Sequence, residues 1–305
     1  MEPKHLTSIR DLTAPDVVEV FKLAANIKSA PDNYRGALSG KSLALIFQTP
    51  STGTRVSFQV GMHQLGGQAL TLSASDLDTT GGVGAADTAK ALSQYVDGIV
   101  ARTQTHAELV ELSRNAEVPV INGLTDLLHP CQALADYFTL AEKKGDLAGR
   151  KIAYVGAAGH MCHSLIYGAV KAGMHIAVAT PPGSEPKSII VKSANREASS
   201  AGVTVVLTQD PAAAIQGSDA VYTDRWGAPG QPLDAARAQV LAPYQVSAQL
   251  MAMAKPDAFF MHCLPAERGQ EVSADVMDGP QSVVFEQAKN RLHVQKALLC
   301  MLMGT

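Results

Sequence analysis

The sequence predicts an α/β protein made of two doubly wound parallel-sheet domains. Three observations carry that prediction. Short aliphatic and β-branched runs alternate with longer helical patterns along the chain, which is the signature of βαβ units and a parallel sheet. The alternation pauses at the polar stretch Glu142-Lys143-Lys144-Gly145-Asp146 and restarts at Lys151. The chain is 305 residues long and 46% hydrophobic, enough for about two domain cores.

In the first half, 42–47, apolar after Ser42, reads as a strand. The pattern over 54–65 then reads as a helix and 68–72 as a strand. Residues 87–95 read as a helix, 98–102 as a strand, 107–115 as a helix and 118–122 as a strand. Residues 130–143 read as a helix with Pro130 in its first turn, where a missing N–H is tolerated. In the second half, 151–155 is a strand, 161–172 a helix and 175–179 a strand. The runs 203–207, 220–222 and 258–262 continue the series. The domain expectation is therefore 1–145 and 146–286, with a C-terminal helix over 287–305 (apolar to 303) packing back on the first half. Doubly wound sheets bind ligands beyond the carboxyl ends of their strands. The expected site is therefore a cleft between the two domains.

Composition removes several function classes. Net charge is -3 and no Lys/Arg run stands out, so nucleic acid is not expected as a partner. No apolar run approaches the ~20 residues of a membrane span. No apolar stretch follows Met1-Glu2-Pro3-Lys4-His5, so no signal peptide is expected. The four cysteines, Cys131, Cys162, Cys263 and Cys300, are widely spaced and form no Cys-x-x-Cys pair. That spacing argues against a disulfide framework or a zinc site and fits a reducing cytoplasm.

Several segments carry chemistry. Ser51-Thr52-Gly53-Thr54-Arg55 follows a strand and opens a helix. A helix N-terminus presents unpaired N–H groups and a positive dipole end, which suit a phosphate, and the hydroxyls and Arg55 add donors and charge. An ordinary N-cap would look the same from this segment alone. His129 and Gln132, three apart, can together hold a carbonyl oxygen and an –NH₂. A helix-start His beside a surface Gln is the plain alternative. Arg102 closes a strand, where an Arg is often merely solvated. Asp224 follows another strand and could equally cap a turn. Cys263, at the end of an apolar strand, could be a small core residue.

Taken in order and spacing, Ser51–Arg55, Arg102, Leu128-His129-Pro130-Cys131-Gln132, Phe260-Met261-His262-Cys263-Leu264-Pro265 and Asn290-Arg291-Leu292-His293 resemble the aspartate/ornithine carbamoyltransferase family, its ornithine branch in particular. The resemblance covers nearly the whole chain. It implies a binding site for carbamoyl phosphate and for a primary amine, L-ornithine in the first instance. It gives Ser51, Thr52, Gly53, Thr54 and Arg55 to the phosphate and has Arg102 bridge the phosphate and carbonyl oxygens. His129, Gln132 and Arg291 fall on the carbamoyl group. Cys263 falls beside the acceptor amine, the Leu264 carbonyl against the carbamoyl nitrogen, and Asp224 on the amino-acid substrate. It implies no metal and no cofactor, and a homotrimer whose sites are shared between subunits.

The chain departs from that pattern at three places. The motif Ser-x-Arg-Thr-Arg of the family has Gly53 at its central Arg, which removes a charge-assisted contact to a dianion. Thr79-Thr80-Gly81-Gly82-Val83-Gly84 replaces a loop that carries charge in the family. On the amine side, Val155-Gly156-Ala157-Ala158-Gly159-His160 stands for Val-Gly-Asp-Gly-Asn-Asn, and Asp224-Arg225-Trp226-Gly227-Ala228-Pro229-Gly230 for Asp-x-Trp-x-Ser-Met-Gly. His160 is placed to replace one lost Asn, and Arg225 adds a cation. The amine end of the pocket is thus kept and the α-amino-acid end redrawn.

The expected reaction follows. A primary alkyl amine, with a reference pKa near ~10.4, must lose a proton before it attacks. A desolvated site near cations lowers that pKa. Arg102, His129 and Arg291 polarise the carbonyl, and phosphate leaves. Three alternatives stay open at this point. The acceptor could be another primary amine, or the chain could be a catalytically impaired anion-binding relative. A nucleotide-dependent oxidoreductase would use Val155-Gly156-Ala157-Ala158-Gly159, but position 158 is not the glycine that fingerprint wants.

Overall fold

The computed structural model describes residues 5–73, 84–227 and 233–304. Residues 79–83 of the uncharged loop and 228–230 of the Asp224–Gly230 segment lie outside the described residues. Contacts divide the chain into two units. The first comprises Met1–Ala135 with Asn290–Thr305, and the second Asp136–Lys289.

In chain order the first unit holds α1 (Ala14–Ser29), β1 (Ser42–Phe47), α2 (Thr52–Gln64), β2 (Gln68–Ser73), α3 (Ala85–Ser93), β3 (Gly98–Arg102), α4 (His106–Asn115) and β4 (Val120–Leu124), followed by the start of α5 (Pro130–Lys144). The four strands form one parallel sheet in the order β2-β1-β3-β4. Strands β1 and β3 are apolar between their ends because helices cover both faces of a central parallel strand. Leu43, Leu45, Ile99 and Val100 are fully buried. Strand β2 is an edge, and its exposed Gln68, Leu70 and Ser73 reflect that position.

Two differences from the sequence reading have physical causes. Strand β4 runs Val120–Leu124 rather than 118–122. Pro119 has no N–H for a ladder and only its carbonyl is used, by the Ile99 N–H at 2.8 Å. Helix α1 was not expected at all. It is nucleated by a capping box in which Thr13 and Asp16 bond each other's backbone, with Pro15 in the first turn. Its apolar stripe is Val17, Val20, Ala24 and Ile27.

The second unit continues with β5 (Lys151–Val155), α6 (His160–Lys171), β6 (His175–Ala179), α7 (Ser188–Ala201), β7 (Val205–Thr208), α8 (Pro211–Ile215), β8 (Ala220–Thr223), α9 (Ala235–Leu241), α10 (Ala248–Met251), β9 (Phe259–His262), α11 (Ala274–Met277) and the start of α12 (Val284–Met303). Its sheet is parallel in the order β7-β6-β5-β8-β9. Val155, Val221, Phe260 and Trp226 belong to one buried cluster on this sheet. Helix α7 was also not expected; it ends where Gly202 takes a left-handed φ of 67°.

A buried polar chain pins the end of β9. The Tyr222 hydroxyl donates to Asp136 Oδ2 at 3.0 Å, Gln287 Nε2 donates to Asp136 Oδ1 at 2.8 Å, and the His262 N–H donates to Gln287 Oε1 at 3.0 Å. Burial makes such bonds costly to leave unmade, so the chain fixes where β9 stops.

Both sheets reverse direction once. The first unit turns from β1 outward to β2, then returns across β1 to β3. The second runs β5-β6-β7, then returns across β5 to β8. The carboxyl ends at β1/β3 and at β5/β8 are therefore the places where each sheet offers a crevice.

Candidate active site

The first set of site residues sits at the β1/β3 reversal. Ser51 caps α2, and its hydroxyl accepts the Thr54 N–H at 3.4 Å and donates to Thr54 Oγ1 at 2.9 Å. Thr54 is buried, whereas Thr52, Gly53 and Arg55 are exposed. Arg102 ends β3 and is tethered by Nε, which donates to Thr49 Oγ1 at 2.8 Å. Arg291 of α12 reaches the same helix start, where Nη2 donates to Thr54 Oγ1 in a short hydrogen bond. The opening over Gly53 is covered by this guanidinium, since a β-carbon on Gly53 would lie 3.5 Å from Arg291 Nη1.

Two guanidiniums thus face a helix N-terminus. The electrostatic consequence falls on Arg102, whose pKa is pushed down to about 10, first by burial and then by the charge of Arg291. A dianion at this place would offset both effects by favouring the charged guanidinium. Burial pushes the neighbouring Cys131 thiol up to about 12, so it is a packing group rather than a nucleophile.

His129 and Gln132 lie at the junction with α5 and are buried, at 5% and 2% exposure. Helix α5 begins at Pro130, so His129 stands one residue before it rather than on it. The two positions are still neighbours, because a cap residue and the third helical residue face each other in the first turn.

The second set sits at the carboxyl ends of β5, β8 and β9. Asp224 follows β8, and its Oδ1 accepts both the Arg225 N–H at 2.8 Å and the Cys263 thiol at 3.0 Å. His160 opens α6, with Nε2 3.9 Å from Asp224 Oδ2, an ion pair when the ring is protonated. The turn before α6 is held close to this group. Tyr154 donates its hydroxyl to the Ala157 carbonyl at 2.7 Å, and Gly156 has φ 129°. A β-carbon on Gly156 would come within 3.3 Å of Trp226 Nε1 and 3.4 Å of Thr223 Oγ1.

Leu264 lies beyond β9 at φ 54°, followed by a cis bond to Pro265. Its N–H donates to His262 Nδ1 at 2.9 Å, so the His262 ring holds the backbone of this loop. Arg225 points its guanidinium to Glu267, with Nη2 2.8 Å from Oε2. The new cation near the substrate loop is therefore neutralised within its own unit.

The structure brings Ser51, Thr54, Arg102 and Arg291 together in one unit, and His160, Asp224 and Cys263 together in the other. Arg55 lies exposed with no assigned partner among the described residues. Sequence reasoning missed Thr49, His262 and Glu267. The first two fix Arg102 and Leu264, and the third pairs with Arg225. His262 stood inside the quoted Phe260–Pro265 motif and was the one with a visible signal. Among the described residues no group of three or more His, Cys, Asp or Glu could hold a metal ion.

The set in the first unit suits an anion, and the set in the second, centred on the Asp224 carboxylate, suits a cation. Comparison with known proteins points the same way. Residues 4–142 match the family described as aspartate/ornithine carbamoyltransferase, carbamoyl-P binding domain. Residues 148–302 match its aspartate/ornithine carbamoyltransferase, Asp/Orn binding domain. The ornithine carbamoyltransferase of Carboxydothermus hydrogenoformans is 50% identical over 304 residues, covering 99% of this chain and 98% of the relative. The anabolic ornithine carbamoyltransferase of Pyrococcus furiosus is 47% identical over 304 residues, covering 99% of this chain and 96% of its own length. The solved structure of ornithine carbamoyltransferase from Pyrococcus furiosus superposes with a TM-score of 0.95 at 46% identity, covering 99% of this chain and 97% of that one. The chain belongs to the aspartate/ornithine carbamoyltransferase family.

Proposed function

We infer that this chain transfers the carbamoyl group of carbamoyl phosphate to the side-chain amine of L-ornithine, giving L-citrulline and phosphate. The observation that carries the reading is the pairing of Arg102 and Arg291 over the start of α2, in a sequence half identical to ornithine carbamoyltransferases along its full length. In this reading the phosphate of the donor rests on the N–H groups and hydroxyls of Ser51, Thr52 and Thr54, with Gly53 contributing backbone alone. Arg55 adds field from the exposed face. Arg102 bridges the phosphate and the carbonyl oxygen. His129, Gln132 and Arg291 hold the carbamoyl group.

The acceptor arrives as an ammonium and is bound through Asp224, with Cys263 beside it and the Leu264 carbonyl against the carbamoyl –NH₂. The ammonium first gives one proton to solvent; the neutral nitrogen then forms a bond to the carbamoyl carbon as the C–O bond to phosphate breaks. The departing phosphate takes the second proton from that nitrogen. Positive charge at Arg102 and Arg291 stabilises the oxygen as it becomes negative, a contribution typically worth a few kcal/mol for each donor. Residues 1–145 would hold the donor and 146–286 the amine, with the C-terminal helix over 287–305 serving the donor half through Arg291.

The same reading places the enzyme in arginine biosynthesis, in the cytoplasm and as a homotrimer. Exposed Val56, Val60 and Leu70 around α2 and the β2 edge support an assembly, because apolar side chains there gain from being covered. Among the described residues no helix is long and apolar enough to cross a membrane.

A second reading is favoured by one observation. Ala157, Ala158, His160 and Arg225 stand where the family carries other side chains around the amino-acid end, so another primary amine could be the acceptor. Citrulline formation from carbamoyl phosphate and L-ornithine is the direct test, run beside putrescine, lysine and 2,4-diaminobutyrate. Turnover with ornithine above the others establishes the first reading. Turnover with another amine alone establishes the second, and none with any amine removes both.

A further inference from the structure

We propose that Asn122 is a positioning residue of the donor site. Its side chain fixes the spacing between Arg102, at the end of β3, and His129, just before α5, so that one molecule is held by both. The proposal rests on the reading above, in which these two residues share carbamoyl phosphate.

Strands β3 and β4 change register where Arg102 leaves the sheet. Ala101 pairs with Asn122, yet Arg102 pairs with Leu124, so Gly123 is the extra residue of a β-bulge. A β-carbon on Gly123 would lie 3.1 Å from Val100 Cγ1 and 3.3 Å from the Ala101 carbonyl oxygen, so the bulge is pressed onto β3 just before Arg102. Leu124 then takes φ 143°, which a side chain of its size rarely adopts. Such a residue persists only where its surroundings over-determine it. Its carbonyl accepts the Thr103 N–H at 3.2 Å, and its own N–H donates to Asn122 Oδ1 at 2.8 Å.

An Asn that bonds the N–H two residues on is a common turn at a strand end. Asn122 does more than that. It is fully buried, and its Nδ2 donates to the Thr7 carbonyl at 2.8 Å and to the Leu128 carbonyl at 3.4 Å. The Leu128 carbonyl also accepts the Thr125 N–H at 3.0 Å, which closes the loop between β4 and α5. The Cys131 thiol donates to the Asn122 main-chain carbonyl at 3.5 Å. Asn122 therefore bonds the chain on either side of His129, and it also bonds Leu124, the strand partner of Arg102. A ligand held at two places loses affinity steeply when their spacing drifts.

Calorimetric titration of the full chain with inorganic phosphate, and separately with phosphonoacetamide, tests the proposal. Phosphate reads the arginine end alone, whereas phosphonoacetamide, a phosphonate that carries an amide, reads both ends. Wild-type protein should bind phosphonoacetamide about tenfold or more tighter than phosphate, as expected from the added hydrogen bonds. Asn122→Ala should cut that advantage to about threefold or less and leave phosphate affinity nearly unchanged. Asn122→Ser gives the same reading where Asn122→Ala does not fold. Ile121→Val, a truncation at the neighbouring buried position of β4, is the control. It should lower the melting temperature yet keep the advantage. An advantage kept in the Asn122 variant, or lost equally in Ile121→Val, overturns the proposal and leaves the proposed function standing. No advantage in wild type also overturns it, and the citrulline assay then shows whether the proposed function falls with it.

Discussion

The guanidinium of Arg291 covers Gly53, with Nη1 3.5 Å from where a β-carbon on Gly53 would stand. That separation is ordinary contact, so the position accepts a small side chain without displacing Arg291. Gly53→Ala should therefore leave turnover intact and stabilise the protein by about 0.5–1 kcal/mol, the usual gain when alanine replaces a helical glycine. Thermal unfolding and steady-state kinetics check both halves of that statement. A lower melting temperature would mean that the glycine is needed for backbone reasons.

Gly53→Arg asks a different question. The longer chain adds a guanidinium beside Arg291 at the helix start, and a charged hydrogen bond to a phosphate contributes about 1.5–3 kcal/mol. The expected outcome is a KM for carbamoyl phosphate lowered about tenfold or more. An unchanged KM would show that Arg102, Arg291 and the α2 backbone already complete the phosphate's contacts.

Arg102 carries a charge that its surroundings disfavour. Its pKa falls from the usual guanidinium range to about 10, through burial first and the nearby Arg291 second. A base whose pKa is depressed by folding destabilises the fold wherever it stays protonated. The cost is fully present below about pH 10 and is relieved as pH rises from there toward the ordinary guanidinium pKa. At pH 8, in buffer free of multivalent anions, Arg102→Met should thus melt no lower than wild type. Added phosphate should raise the melting temperature of wild type clearly more than that of the variant. Turnover should fall by about 10²–10³, the usual loss of one oxyanion donor. Equal protection of both proteins by phosphate would contradict this placement of the anion.

Asp224 joins Cys263 at 3.0 Å and lies 3.9 Å from His160, so it is the negative centre of the second set. Asp224→Asn keeps the shape and removes the charge. The KM for L-ornithine should rise on the order of tenfold to a hundredfold, as expected for loss of a charged hydrogen bond, while the KM for carbamoyl phosphate stays within about twofold. A change confined to carbamoyl phosphate would place Asp224 outside the amine site.

How much of this was legible in the sequence varied with the range of the interaction. Strands β1, β3, β5 and β6 have the limits read from the sequence, because a strand buried on both faces carries a compact apolar stretch with polar residues only at its ends. The grouping of Ser51, Thr54 and Arg102 followed from the fold class, which places strand ends side by side. The partners that hold site residues in place were not legible. Gln287 reaches the His262 backbone across 25 residues and Asp136 across 151, and no local pattern marks such pairs. Helix α7 was missed because its serines and charges obscure the buried Ile190, Ala194 and Ala198.

Gly156 offers the most specific test of the redrawn end of the pocket. Its φ of 129° is a conformation that side chains rarely adopt. Its α-hydrogen also faces Trp226 Nε1, which a β-carbon would approach to 3.3 Å. Gly156→Ala must therefore either strain the turn or push the Trp226 segment away, at a cost of about 1–3 kcal/mol. Because the same turn leads to His160 at the start of α6, the disturbance should reach the acceptor side first. The KM for L-ornithine should rise several-fold with little change for carbamoyl phosphate, and the variant should melt lower than wild type. A stable variant with normal ornithine kinetics would mean that this turn does not set the geometry of the His160–Asp224 pair.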